Sequence, residues 1–125
     1  MPIAPSDYLT AASRLINDFQ ELVCADVPLV AISIFFALPP EGAAPRSEIV
    51  KQAAKEVSSG AVSRAFSLLA GLDKTRKAES KITPLVEFYP DPKDRRHQLV
   101  QLTPKGREVR GEMLDRASRR GVVAC

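Results

Sequence analysis

The chain has 125 residues, which suits one domain, and its 45% apolar content allows a modest core. Aromatic side chains are few and tryptophan is absent, which argues against a large cofactor cavity. The longest apolar run, Val27 to Leu38, falls short of the roughly 18 residues that a membrane span needs, and no basic segment precedes it as in a signal peptide. These features lead to the expectation of a soluble, intracellular protein with no membrane partner.

Charge is distributed unevenly. Residues 1–45 hold one basic residue, Arg14, against five acidic ones, whereas residues 46–125 hold seventeen basic against ten acidic. A basic second part points to a polyanionic partner, although a solvated basic surface would leave the same trace. The two cysteines, Cys24 and Cys125, are too few for a disulfide scaffold and lack zinc-type spacing. Cys24 reads as a buried, inert thiol, since nothing basic lies beside it in sequence to favour the thiolate.

In chain order, Ser6 is a plausible cap for a first helix, with Asp7 in its first turn. Tyr8, Ala11, Ala12, Leu15, Ile16, Phe19, Leu22 and Val23 follow at helical spacing, to about Ala25. Pro28 opens a second helix, Leu29 to Leu38, closed by Pro39 and Pro40. Because it is apolar all round, it belongs in the core or at a subunit interface. EGAAPR reads as a loop.

Ser47 can cap a third helix whose buried stripe is Ile49, Val50, Ala53, Ala54 and Val57. After a turn at Ser58–Gly60, a fourth helix runs from about Ser59 to Ala70, burying Val62, Phe66 and Leu69. Its other face presents Ser59, Gly60, Ser63, Arg64 and Ser67. Two short helices joined by a glycine-containing turn form the helix-turn-helix pattern. Small hydroxyl side chains let a helix approach a groove wall, and arginine reaches guanine or phosphate. Many helical hairpins share this pattern.

Gly71 to Thr83 is polar and basic and reads as a connection. Leu85–Tyr89 and His97–Leu102 have strand composition, and Val100 and Leu102 share one face. Between them lies a charged tip with Asp91, Pro92, Lys93, Asp94, Arg95 and Arg96, read as a hairpin loop of about seven residues. Thr103 caps a last helix with Pro104 at its first position. Val109, Met113 and Leu114 give that helix a thin apolar stripe, and its basic end, RASRRG, is expected to fray. This order, mainly α with a small β-hairpin, is that of a single winged helix-turn-helix domain. Its parts are amino-terminal helices for core and dimerisation (1–40), helix-turn-helix (46–72), basic connection (73–83), wing (84–102) and carboxy-terminal helix (103–120).

The stretch DPKDRRHQLVQLTPKGREV resembles the wing and following helix of the MarR family of bacterial transcription regulators. The matching elements are Asp91, Pro92, Asp94, Arg96, Val100, Leu102, Thr103, Gly106 and Arg107. SSGAVSRAFSLLAGL resembles that family's recognition helix, with Val62, Ser63, Arg64 and Leu69 at matching places. The resemblance covers roughly residues 28–115. It implies a homodimer on a pseudo-palindromic site in double-stranded DNA, with the recognition helix in the major groove and the wing along the backbone. On that model Ser59, Ser63 and Arg64 read bases, with Ser67 on the same face. Arg96 enters the minor groove, Asp94 orients it, and Lys93 and Arg95 touch phosphates.

Two departures stand out. About ten residues, DKTRKAESKI, separate the recognition helix from the wing, a longer connection that resembles MarR-like proteins carried on phages and other mobile elements. Its Lys74, Arg76, Lys77 and Lys81 are candidates for added phosphate contacts. Family members also continue into a further long helix, so dimerisation here is expected to rest on the first, second and last helices. The resemblance implies a small-molecule cleft between the dimer and DNA-binding regions, but its reduction without that further helix and the few aromatics weigh against a dedicated pocket here. Other readings keep the fold but change its use. One is an interaction module, of phage origin on that reading, that docks on a host protein; another is a nonspecific nucleic-acid binder in replication or packaging. An enzyme has least support, because His97 stands without a nucleophile–base pair and the acids lack metal-ligand spacing. No catalytic residue, cofactor or metal site is expected.

Overall fold

The computed structural model describes residues 4–72 and 82–121. Cys125 and the basic side chains Lys74, Arg76, Lys77 and Lys81 therefore lie outside the described residues. Within them run α1 (Pro5–Leu22), α2 (Leu29–Ala37), β1 (Ala44–Pro45), α3 (Arg46–Ala53), α4 (Ser59–Leu69), β2 (Val86–Asp91), β3 (Asp94–Leu102) and α5 (Pro104–Arg119). This is a winged helix-turn-helix, with α3 and α4 as the helical pair and β2–β3 as the wing. No described helix is long and apolar enough to cross a membrane.

The core forms where α2, α3 and α4 meet the base of the sheet. Phe19, Ile32, Ile34, Ile49, Leu69, Leu85, Val100 and Leu102 are fully buried there. Phe19 packs against Phe35 with ring centroids 4.9 Å apart and planes tilted by 60°, joining α1 to α2. The apolar α2 buries Ala31, Ile32, Ile34 and Phe35 but leaves Leu29 and Phe36 exposed.

Several local expectations are corrected. Helix α1 starts at Pro5 after Ala4, so Ser6 sits inside the helix rather than capping it. Its first apolar residues, Tyr8 and Leu9, are exposed, because only the second half of α1 meets the core. Helix α3 begins at Arg46, after Pro45, which puts Ser47 within the first turn and ends the helix at Ala53. The turn of the helical pair is thus Ala54–Ser58; Val57 is exposed and Gly60 belongs to α4. Ser58 is the residue that caps α4, accepting from the Ala61 amide at 3.3 Å. EGAAPR is not wholly loop: Ala44 and Pro45 pair with Val100 and Leu99, adding a third strand in the order β1-β3-β2. Two residues carry no alternation, so the pairing left no periodic trace. Cys24 is half-buried, not buried, and its Sγ donates to Asp26 Oδ1 at 2.6 Å.

The carboxy-terminal end departs most from expectation. Arg116 and Arg120 do not fray; they converge on Asp18, which is 2% exposed in α1. Arg120 holds both carboxylate oxygens at 2.7 and 2.9 Å, and Arg116 donates to Oδ1 at 3.2 Å. Leu114, expected in the apolar stripe, is exposed, and Ala117 is buried instead beside Val109 and Met113.

At the other end of α5, the backbone comes unusually close to the wing. Thr103 caps the helix by accepting from the Gly106 amide at 3.0 Å, and its hydroxyl donates to the Pro84 carbonyl at 2.7 Å. A Cβ on Gly106 would overlap the Leu85 carbonyl oxygen. Arg107 reaches back to the Leu102 carbonyl at 3.1 Å. Gly71, with φ +71°, ends α4 by a Schellman arrangement: its amide donates to Leu68 at 3.0 Å and that of Leu72 to Ser67 at 2.8 Å.

Two stability measurements follow. Gly106→Ala is expected to lower unfolding free energy by about 3 kcal/mol, since the added methyl meets backbone that cannot yield like a side chain; chemical denaturation reads this directly. Asp18→Asn removes the carboxylate that Arg120 pairs with, leaves Arg116 only Glu21 and Glu112, and should cost about 3 kcal/mol at neutral pH. The Arg120 hydrogen bonds, then those of Arg116, hold the Asp18 carboxyl below its ordinary pKa of 3.8, against the opposing effect of burial. Its contribution is therefore complete above that value and fades as pH falls below it. Denaturation curves of the two proteins should converge on acidification below about pH 3.8.

Candidate nucleic-acid interface

The wing tip is shaped by one residue without an amide hydrogen. Strands β2 and β3 pair regularly from Val86↔Leu102 to Pro90↔Gln98, and then the register jumps to Asp91↔Asp94. Pro90 cannot donate to the ladder. Beyond it, Arg95, Arg96 and His97 stand in a bulge on β3, all three exposed. Only Pro92 and Lys93 connect the strands, so the tip is a two-residue turn and not the expected loop of about seven. The Asp91 carboxylate accepts from the Lys93 amide at 2.9 Å and closes that turn. Bulges of this kind re-aim side chains, here turning successive cations outward.

Asp94 organises the bulge. It accepts from the Arg96 backbone amide at 3.1 Å and from the guanidinium at 3.1 and 3.2 Å, while His97 Nε2 lies 3.4 Å away. The Arg96 side-chain hydrogen bonds, then its amide, hold the Asp94 carboxyl below its usual range. The Arg96 side chain nonetheless remains 87% exposed, free to meet a partner while its fork is held in plane.

On α4, Ser59, Gly60, Ser63 and Arg64 are exposed and Ser67 is half-buried. Space above Gly60 is open, so backbone there can approach a surface closely. The opposite face of α4 buries Val62, Ala65, Phe66, Leu68 and Leu69, which fixes the outward residues by helical geometry. Phe66 also packs edge-on against Phe88 of β2, centroids 5.6 Å apart, and so couples the helix to the wing.

One residue was not singled out from sequence. Arg46, at the start of α3, lays its guanidinium over the Phe66 ring at 4.6 Å and donates to Ser63 Oγ at 3.4 Å. Together with Ser47, Arg95, Arg96, His97 and Gln98 it lines a cleft of about 420 Å³ between the helical pair and the wing. Arg95 and Arg96 are thus brought together with a cation nearly fifty positions away, whereas Ser59, Ser63, Arg64 and Ser67 of α4 are not among the lining residues of this cleft, which meets α4 through the Arg46–Ser63 contact. The sequence carries no periodic signal for Arg46, because its role rests on the tertiary contact with Phe66. Among the described residues no group of histidine, cysteine and acidic side chains is placed to hold a metal ion.

Solved structures share this fold. BpsR of Bordetella bronchiseptica, described in connection with regulation of its DNA binding by 6-hydroxynicotinic acid, is 28% identical over 90% of this chain and 76% of its own, with a TM-score of 0.53. MarR itself is 18% identical, over 93% of this chain and 77% of that one, at 0.56. The chain has the winged-helix fold of MarR. A MepR mutant from a multidrug-resistant S. aureus clinical isolate shares the MarR fold at 14% identity and a TM-score of 0.60, covering 97% of this chain and 81% of its own. No family model and no curated protein matches the chain. In this chain the DPKDRR segment makes the bulged tip, and the TPKGR segment makes the joint beneath it.

Proposed function

We propose that the chain is a sequence-specific regulator of transcription that binds double-stranded DNA as a homodimer in the bacterial cytoplasm. The reading rests on one observation above others: Arg95 and Arg96, exposed on the wing, line one cationic cleft with Arg46, whose guanidinium donates to Ser63 on the exposed face of α4. Helix α4 enters the major groove, where Ser59, Ser63 and Arg64 meet base edges, with Ser67 on the same face. The wing follows the backbone. Lys93 and Arg95 contact phosphates, and Arg96, steadied by Asp94, reads the narrow minor groove. The DNA binding described for BpsR, 28% identical, supports the same reading.

The homodimer is supported by the apolar side chains left uncovered on the amino-terminal helices. Tyr8, Leu9 and Leu29 are each more than 60% exposed, and Phe36 is 42% exposed. The first forty residues and α5 form the dimerisation part, and the helical pair with the wing forms the DNA-reading part. No catalytic residue, metal or cofactor is assigned.

Selection from randomised duplex DNA at near-physiological salt, followed by titration of the selected and a scrambled duplex, tests the proposal. An inverted repeat bound about a thousandfold more tightly than the scramble is expected. Arg96→Ala should weaken binding to that repeat by about 1–3 kcal/mol. Equal affinity for all duplexes would point to nonspecific nucleic-acid binding, and no binding would point to a protein partner.

A further inference from the structure

We propose that Arg46 is a phosphate-binding residue, and that the cleft it shares with the wing seats one backbone phosphodiester of DNA between the recognition helix and the wing. The inference rests on the DNA-binding reading above and adds a contact to it.

Arg46 is half-buried, and its guanidinium is fixed in two ways. One face lies over Phe66, and one N–H group points to Ser63 Oγ. A guanidinium carries five N–H donors, so this anchoring leaves donors for a further acceptor. Among the described residues no carboxylate forms an ion pair with Arg46 or Arg95. The nearby carboxylate of Asp94 is engaged by Arg96. Three guanidinium groups and an imidazole therefore border one open space, and among the described residues no carboxylate lines it. Such a space favours an anion, and arginine forks suit phosphate oxygens in particular.

The local backbone adds to this. Arg46 and Ser47, both in the lining, open α3, and no side chain caps that helix; uncapped helix N-termini are favourable surroundings for an anion. A free anion and a DNA phosphate share this chemistry. The position decides for DNA. The site lies between Ser63 on α4 and Arg95–Arg96 on the wing, where a strand passing from one element to the other must run. Stacking on Phe66, which also packs on Phe88, holds the three elements at fixed distances around that strand.

The test compares wild type, Arg46→Ala, Arg46→Met and Arg46→Lys on the selected duplex over a series of salt concentrations. Arg46→Met keeps an apolar cover over Phe66 without the charge, so it separates a phosphate contact from a packing role. Both uncharged variants should bind about tenfold more weakly, on selected and scrambled duplexes alike. Their plots of log affinity against log salt should be shallower than wild type by about 0.9, the loss of one phosphate contact, while Arg46→Lys keeps the wild-type slope. An Arg46→Met protein with the wild-type slope would overturn the inference while leaving DNA binding intact. Failure of wild type to bind any duplex would overturn the DNA-binding reading and this inference with it. Calorimetric titration of the DNA-free protein with inorganic phosphate supplies the remaining arm. Saturation below millimolar concentration would assign the cleft to a free anion instead, and negligible heat is the expected result.

Discussion

The contact between Gly106 and the Leu85 carbonyl sets the height and angle of the wing, because no side chain can be inserted between them. Leu85 serves three elements at once. Its amide donates to Leu69 at the end of α4, and its carbonyl accepts from Thr103 at the start of α5, while its side chain is buried between them. Thr103 then caps α5 and bonds back to Pro84. Helix α4, the wing and the last helix thus leave one knot of backbone in fixed directions. The glycine is there for space, and its conformational freedom is secondary.

From that joint, two layers of aromatic and ionic contact carry order outward. Phe66 lies under Arg46 and against Phe88, so the helical pair and the wing are packed through one ring. At the tip, Pro90 ends regular pairing, and Asp94 gathers the released residues into an ordered bulge. The cations are consequently presented on rigid β-structure, where a long flexible loop would have had to lose more conformational entropy on meeting a partner.

The far end of α5 is tied down by a different force. Asp18 is buried under two guanidinium groups from α5 and its C-cap, and this pairing across nearly a hundred positions holds α1 against the last helix. Burying a carboxylate is costly unless its lone pairs are satisfied, and Arg120 and Arg116 satisfy them between them. The arrangement turns a run of arginines into an internal fastening, and removes those charges from the pool available to a polyanion. The basic excess of the second part of the chain is thus divided between structure and surface.

The sequence alone determined the order of the five helices and the wing hairpin, the buried face of α4, the Thr103–Pro104 helix start and the charged tip, because helical period, proline and capping chemistry are local properties. The MarR-like DPKDRR and TPKGR segments were legible for the same reason: each motif sits within one turn or one joint. Only the tertiary structure decided that Arg46 faces the wing, that Arg116 and Arg120 seal Asp18, and that Ala44–Pro45 adds a strand. Each of these depends on partners 17 to 102 positions apart or on a pairing too short to show alternation. The tip fell between the two cases. Its residues were plain in the sequence, but a seven-residue loop and a two-residue turn with a bulge have the same composition, and the register that separates them is set by the strands below.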